Sequence, residues 1–189
     1  EDSSAGTRVL YNTGPTINGV NLYQSRANAA GATLVNGSHR KVNLDNDQHV
    51  TVHQGGTSVE ANWTLPSDFT LTSISSYRFW NFTPRNDDGL NVPVFYSAGV
   101  SVRDKQYSQE IRLASPTGGA FDYVLGAYYF KQDLDNTSFT YYGPQADTWN
   151  LTPAGALNNV NTLGDGHIDT DSYALFAQGT WHVTDRLDF

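Results

Sequence analysis

Histidine and carboxylate side chains form two candidate metal-binding patterns in this sequence. The first places His49 and His53 four residues apart in "HVTVH", next to the acidic segment "LDND" at 44–47. The second is "GDGHIDTD" at 164–171, with alternating Asp165, His167, Asp169 and Asp171. Residues an even number apart share a face of a strand, so each set could converge on a cation. Neither has the glycine and closing glutamate of a calcium loop, and loop polarity explains both. We therefore expect no metal site.

Catalytic patterns are missing from the sequence. There is no cysteine, no nucleophile elbow, no phosphate-binding loop and no distinctive spacing of paired carboxylates. A β-rich hydrolase would need such a set, so we expect no enzymatic activity and no cofactor. The net charge of −8 comes without a basic stripe, which argues against nucleic acid as a partner.

Aromatic residues in or beside two long polar links are the candidates for ligand binding. The links are predicted at about 84–104 and 143–170, and long loops of this kind are usually functional. Exposed rings there could stack on a sugar or on an aromatic chelator, or they could pack against one another within the loops. The candidates are Phe95, Tyr96, Tyr141, Tyr142 and Trp149.

Five segments predict the elements that position these residues, and all follow a two-residue period except that Ser73 and Ser75 interrupt the apolar face of the second. They are "TSVEANWTL" from 57, "FTLTSISSYRFW" at 69–80, "YSQEIRL" from 107, "FDYVLGAYYF" at 121–130 and "DSYALFAQGTWHV" from 171. Short turns are expected at 65–68, 115–119 and 184–186. The fold class is thus all-β: an antiparallel meander of about five long strands.

Residues 1–50 are rich in Gly, Asn and Ser and are predicted to form a long loop region, with a strand starting near His49. The best helical candidate is "QSRANAAGATL" at 24–34, which Gly31 interrupts. No window keeps a helical period convincingly.

The strands carry one apolar and one polar face. In the hairpin "YSQEIRLASPTGGAFDYVLGAYYF" at 107–130, aromatic and aliphatic residues alternate with Glu110 and Arg112. Glu60 and Arg78 lie on the same polar face of neighbouring strands. These four residues are expected to face the lumen of a barrel, where they contact a partner or, more simply, form a solvated lining.

Aromatic pairs eight residues apart recur on the apolar face of three strands. Eight residues span about 26 Å along a strand, or about 20 Å along the membrane normal at a tilt of about 40°, close to the apolar band of outer-membrane barrels. The predicted girdle consists of Trp63, Phe69, Tyr77, Phe121, Tyr129, Tyr173 and Trp181. The core of a β-sandwich is the alternative. The strand lengths and the alternation of short and long connections favour part of a transmembrane β-barrel.

Three segments resemble the barrel domain of TonB-dependent outer-membrane receptors: "LTSISSYR" at 71–78, "YSQEIRLASPTGGAFDYVLGAYYF" at 107–130 and "DTDSYALFAQGTWHVTDRLDF" at 169–189. The resemblance covers roughly 50–189. It implies a 22-stranded barrel closed by a plug domain, in the outer membrane of a Gram-negative bacterium. Such receptors import a large nutrient such as a ferric siderophore, cobalamin or an oligosaccharide, driven through TonB.

On this interpretation the chain is a fragment of a receptor. Residues 51–189 supply part of the barrel, and residues 1–50 belong to an extracellular loop. The implied partners are outer-membrane lipid, TonB and the plug domain, and a small-molecule nutrient that the sequence does not identify. The alternative function is a secreted β-sandwich module that binds carbohydrate, which would be soluble without detergent.

Overall fold

The computed structural model describes residues 2–3, 16–35, 42–184 and 187–188. Strands dominate these residues: β1 (Asp2–Ser3), β2 (Thr16–Ile17), β3 (Val20–Asn21), β4 (His49–Thr64), β5 (Thr70–Arg85), β6 (Phe95–Ala114), β7 (Phe121–Tyr142), β8 (Asn161–Thr184) and β9 (Leu187–Asp188). The helices are α1 (Leu22–Ala30) and α2 (Ala146–Asn150), with a short 3-10 turn at Pro66–Asp68. Within the described part of the chain, no helix is long and apolar enough to cross a membrane.

One sheet contains all the long strands. Its order is β1-β4-β5-β6-β7-β8-β9, so β4 to β8 lie beside one another in the order of the sequence. The pairing is antiparallel, which confirms the predicted all-β meander of about five long strands. The predicted start of a strand near His49 is also confirmed, because β4 begins at that residue. The hairpin of β2 and β3 forms a separate small sheet.

Cross-strand hydrogen bonds fix the register of β5 against β6. Ser75 Oγ donates to Gln109, and the hydroxyls of Ser76 and Ser108 lie 2.6 Å apart. The pairing of Asn86 with Ala98 keeps the same register near the other end of these strands. Residues opposite one another in this register therefore share a face of the sheet.

Two of the three predicted short turns are present. Leu65 N–H donates to the carbonyl of Phe69 (2.7 Å) across the first, and Ser115 N–H donates to the carbonyl of Tyr123 (2.9 Å) beside the second. The second turn contains Gly118 at φ 91°, a conformation that favours glycine. The third, at 184–186, falls largely outside the described residues.

The two long links are shorter than the sequence predicts. Strand β5 continues to Arg85 and β6 already begins at Phe95, so the first link is 86–94 rather than about 84–104. Strand β8 begins at Asn161, which shortens the second link to 143–160. The strands extend through polar sequence because backbone hydrogen bonds to a neighbouring strand do not require an apolar face. The alternation of short and long connections remains.

Helix α1 lies in the region that the sequence predicts to be a loop. The prediction that this region contains no helix is therefore wrong. Asn21 caps its first turn by accepting a hydrogen bond from the Gln24 N–H (2.9 Å), and Gly31 ends it at φ 74°. Gly31 thus ends the helix, whereas the sequence suggested that it lies within a helical segment at 24–34 and interrupts it. The buried face consists only of Ala27 and Ala30, too small an apolar stripe to give a clear helical period.

The chain divides into two compact units. Unit 1 comprises Glu1–His53, Asn81–Val102 and Asn136–Gly166, and so contains both long links. Its core contains Ala27, Ala32, Leu90 and Val94, with Phe95 and Trp149 packed against them. Unit 2 comprises Gln54–Trp80, Arg103–Asp135 and His167–Phe189, and contains the two described short turns.

Candidate functional site

The sheet of unit 2 has no apolar core among its described residues. Every buried hydrophobic side chain in the described part of the chain belongs to unit 1. In unit 2 most of the large apolar side chains are exposed on one face, which we call the apolar face, whereas Trp80 and Phe176 are exposed on the other. Its most exposed members are Val59, Trp63, Tyr107, Ile111, Phe121, Leu125, Tyr173, Leu175 and Trp181, with Leu175 88% and Tyr173 76% exposed. An exposed patch of this extent indicates contact with lipid or with another molecule.

The seven predicted girdle residues lie on this apolar face, and several of their rings meet across strands. Tyr129 lies 5.0 Å from Tyr173 between ring centroids, and Phe69 lies 6.3 Å from Tyr123. Tyr77 packs against Tyr107 at 4.9 Å. Trp63, Phe121 and Trp181 are exposed at their positions. The period of two thus places these aromatic residues together, as expected for one face of a sheet.

The apolar face ends abruptly at Tyr129 and Tyr173. The hydroxyl of Tyr129 donates to Asp171 Oδ1 (2.7 Å), two residues before Tyr173 on β8. Beyond it, His167 Nδ1 lies 2.7 Å from Asp135 and its Nε2 lies 3.0 Å from Asp169. The same side of the strands therefore changes from apolar to ionic within one residue pair.

The residues predicted to face a lumen lie on the opposite side of unit 2, which we call the polar face. Arg112 Nε donates to Glu110, and the two form an ion pair. Glu60 accepts a hydrogen bond from Asn62 Nδ2 (2.8 Å), and the Asn62 side-chain oxygen accepts from Thr72 (2.6 Å). Charged and amide side chains on this face thus hydrogen-bond to their neighbours in two separate groups.

A cavity of about 710 Å³ opens on the polar face of unit 2. Arg78, the fourth predicted lumen residue, lines it together with Gln54, Gly56, Ser58, Ser76, Trp80, Asp104 and Gln106. Sequence reasoning missed this site, because its members are scattered over three strands. The register of β5 against β6 was the information needed to find it.

The five predicted ligand-binding aromatics fall into two groups within unit 1. Tyr96 and Tyr141 line a second cavity, of about 490 Å³, beside Phe139, His49 and Arg85. Phe95 and Trp149 instead pack against the core of unit 1, and Trp149 stacks on Tyr23 with ring centroids 6.4 Å apart. Tyr142 donates its backbone N–H to the carbonyl of Val160 (2.9 Å), at the base of the second link.

Buried carboxylates hold the first link in place. Asp88 accepts hydrogen bonds from the backbone N–H groups of Leu90 (2.9 Å), Val94 (2.9 Å) and Phe95 (3.0 Å). Burial raises the pKa of Asp88 to about 6, although these three hydrogen bonds act in the opposite direction. Asp45, which is itself exposed, lies close enough to Asp87 and Asp88 for a shared cation, and its pKa is also raised to about 6, by partial desolvation and then by those two charges.

Asp147 organises the second link. Its carboxylate accepts hydrogen bonds from Thr152 Oγ1 (2.8 Å), Leu157 N–H (2.7 Å) and Gly155 N–H (2.7 Å). Burial alone would raise the pKa of Asp147, but these hydrogen bonds outweigh it and lower the pKa below its ordinary value. An aspartate with this pattern is a loop scaffold, and its contacts are satisfied without a ligand.

The residues of the two sequence patterns for metal binding come together only in part, since His167 contacts Asp169 of its own pattern (3.0 Å). His49 lies 3.2 Å from Asp47, its neighbour in the chain. His167 also groups with Asp133 and Asp135 on β7. That group and the cluster of Asp45, Asp87 and Asp88 join residues that are distant in the sequence, so only strand pairing and the folded link could reveal them.

Comparisons of the chain with protein-family models, with curated proteins and with solved structures return no significant match.

Proposed function

We propose that this chain forms part of the wall of an outer-membrane β-barrel that imports a nutrient, of the TonB-dependent receptor type. The observation that carries the proposal is the swapped polarity of unit 2: its apolar side chains are exposed and its polar side chains line the other face. A sheet in water would gain free energy by burying the apolar face. A sheet whose apolar face contacts lipid and whose other face contacts water needs this arrangement.

The positions of the aromatic residues support a boundary with the membrane. Tyr129 and Tyr173 meet where the apolar face ends, and ionic residues follow at once. Tyrosine favours such an interface, because its ring contacts hydrocarbon while its hydroxyl reaches polar groups. We place the interface at this ring pair.

The long links supply the parts that would meet a nutrient. Both belong to unit 1, where Asp88 and Asp147 hold them in defined conformations. Tyr96 and Tyr141 line a cavity there. In the proposed mechanism these links capture the nutrient, which then passes a plug domain that TonB moves. No catalytic step is involved.

Spin labels at two neighbouring positions of β7 test the proposal. Leu125→Cys lies on the apolar face and Val124→Cys on the other, so the pair is matched in depth and in strand. Each cysteine variant of the protein that contains this chain would be spin-labelled and reconstituted in lipid bilayers. We expect the label at 125 to be relaxed by oxygen, which partitions into lipid, and the label at 124 by a water-soluble nickel chelate.

Labels protected from both reagents would contradict the proposal. That result would favour the core of a β-sandwich and, with it, the alternative of a secreted module.

A further inference from the structure

We infer that the cavity on the polar face of unit 2 binds an uncharged saccharide. This inference rests on the proposed function for the role of the saccharide as imported nutrient, but its binding site is argued from the cavity alone. The first argument is burial. Among the described residues of unit 2, Asp104 alone is buried, with 8% of its surface exposed. A carboxylate at the best-protected position of a thin sheet needs an explanation.

Asp104 is held by carboxamides rather than by a cation. Gln106 Nε2 donates to its Oδ2 (2.8 Å), and Gln132 Nε2 donates to its Oδ1 (3.0 Å). Each amide keeps a second N–H and a carbonyl oxygen, and the carboxylate keeps further lone pairs. The trio thus offers closely spaced donors and acceptors in a fixed geometry. A hydroxyl group both donates and accepts, so a ligand with many hydroxyls fits this set.

An aromatic ring lies directly across from this carboxylate. In the register set by Ser76 and Ser108, Trp80 on β5 is opposite Asp104 on β6. Opposite residues have Cβ atoms about 4.5–5.5 Å apart. The indole lines the cavity and is partly exposed. The negative face of an aromatic ring attracts the slightly positive C–H groups of a pyranose ring. A ring beside polar groups is therefore suited to a sugar.

The charges favour a neutral ligand over an anionic one. Arg78 lies opposite Gln106 in the same register and makes no hydrogen bond or ion pair with any described residue. Its guanidinium can donate to ring or hydroxyl oxygens. An anion drawn to Arg78 would also approach the Asp104 carboxylate, which repels it. The cavity volume of about 710 Å³ lies within the usual range for small-molecule sites and accommodates more than one sugar ring.

Calorimetric titration of the gene product that carries this chain, purified in detergent, tests the inference. The probes are the hexasaccharides of α-1,4-glucose, β-1,4-glucose, β-1,4-xylose and β-1,4-mannose, with hexagalacturonate as the anionic comparison. We expect at least one neutral hexasaccharide to bind and hexagalacturonate to bind at least tenfold more weakly. Trp80→Ala should weaken binding at least tenfold, whereas Trp80→Phe should retain part of it.

Phe176→Ala is the matched control, because Phe176 is a partly exposed aromatic residue outside the cavity lining. It should leave the affinity unchanged, and circular dichroism should show the same strand content in all variants. Binding of none of the four neutral probes, preference for hexagalacturonate, or equal affinity of Trp80→Ala and the unmodified protein would overturn the inference.

Membrane fractionation of the cells that produce this protein separates the saccharide inference from the proposed function. A protein that sits in the outer membrane but binds no neutral saccharide would refute the saccharide site alone. A protein that binds saccharide through Trp80 but is recovered without detergent would refute the membrane function alone.

Discussion

The hydroxyl of Tyr129 donates to the carboxylate of Asp171 over 2.7 Å, joining neighbouring strands at the edge of the apolar face. On the one side of this hydrogen bond lie aromatic and aliphatic side chains, and on the other lie His167 and its carboxylates. The relationship defines where, in the proposed membrane orientation, hydrocarbon gives way to water.

A charge in the middle of the apolar face should block assembly. Leu125 lies midway between Phe121 and Tyr129 on β7, so we expect Leu125→Arg to cost about 2–4 kcal/mol, as for arginine at the bilayer midplane. The measurement is the amount of folded protein in the outer-membrane fraction. Val124→Arg, one residue away on the polar face, should reduce that amount much less. Equal loss in both variants would contradict the assignment of the faces.

Removing the charge of Asp45 should stabilise unit 1 near neutral pH. The pKa values of Asp45 and Asp88 are about 6 in the folded chain, above the ordinary 3.8. The folded state therefore binds protons more tightly than the unfolded state, and stability falls as pH rises from about 4 to about 6. Asp45→Asn should gain at most about 1 kcal/mol at pH 7.5, since solvent screens this exposed group.

Thermal melting at pH 7.5 and at pH 5 measures this effect. The gain for Asp45→Asn should be larger at pH 7.5, where more of the wild-type carboxyl is charged. Asp165→Asn, which removes an exposed carboxylate of unit 1 outside the cluster, should show no such difference. A larger gain at pH 5 would show that the sign of the pKa shift is wrong.

Loss of the Asp147 carboxylate should loosen the second link. Its hydrogen bonds to Gly155 and Leu157 would disappear in Asp147→Ala, so hydrogen exchange at these two amides should accelerate at least tenfold. Because the pKa of Asp147 is lowered on folding, its contribution is present at neutral pH and is lost as pH falls through the folded-state value. Protection in the wild-type protein should therefore weaken in acid.

Asp165→Ala is the control for this measurement. Asp165 is an exposed carboxylate on β8 that accepts from Thr137 (2.8 Å) and has no contact with Gly155 or Leu157 among its described hydrogen bonds. Equal acceleration in both variants would mean that Asp147 does not hold the link.

A methyl group at Gly143 should destabilise the folded chain. A Cβ atom there would collide with the backbone carbonyl of Pro93, and the Gly143 N–H also donates to the carbonyl of Val94 (2.9 Å). Since backbone cannot easily give way, we expect Gly143→Ala to lower the free energy of unfolding by about 1–3 kcal/mol. Denaturant unfolding in detergent measures the difference.

Gly126→Ala provides the comparison, because the new methyl group would meet only the end of the Phe176 ring. That side chain can rotate away, so the loss should be smaller than for Gly143→Ala. The reverse order would contradict the close approach of the second link to Pro93.

The sequence predicted the features that repeat along the strands. Alternation identified the long strands and the apolar face, because the period of two depends only on local backbone geometry. It placed Trp63 and Tyr173 on one face, and Glu110 and Arg112 on the other. It overestimated both links, because strands such as β6 continue from Phe95 through polar residues once a neighbouring strand is available.

Features that depend on contacts between distant residues could not be predicted. The hydrogen bonds to Asp104 come from β6 and β7, and its opposite neighbour Trp80 lies on β5. Tyr96 and Tyr141 share a cavity only because their strands are folded side by side, whereas Phe95 turns to a core that includes a helix the sequence did not predict. The sequence shows that these residues are aromatic or acidic, but it does not show which of them contact one another in the folded chain.

The abrupt end of the apolar face has a consequence for insertion. Strands β7 and β8 both extend past Tyr129 and Tyr173, so in the proposed membrane orientation only the side chains would determine how far the strands enter the hydrocarbon. A displacement by two residues, about 6.6 Å along a strand, would carry Asp171 into lipid or expose Tyr173 to water. Because ionic residues lie directly beyond the rings, a displacement that moves them into the hydrocarbon would cost free energy. One row of side chains would therefore set the depth of the proposed wall in the membrane.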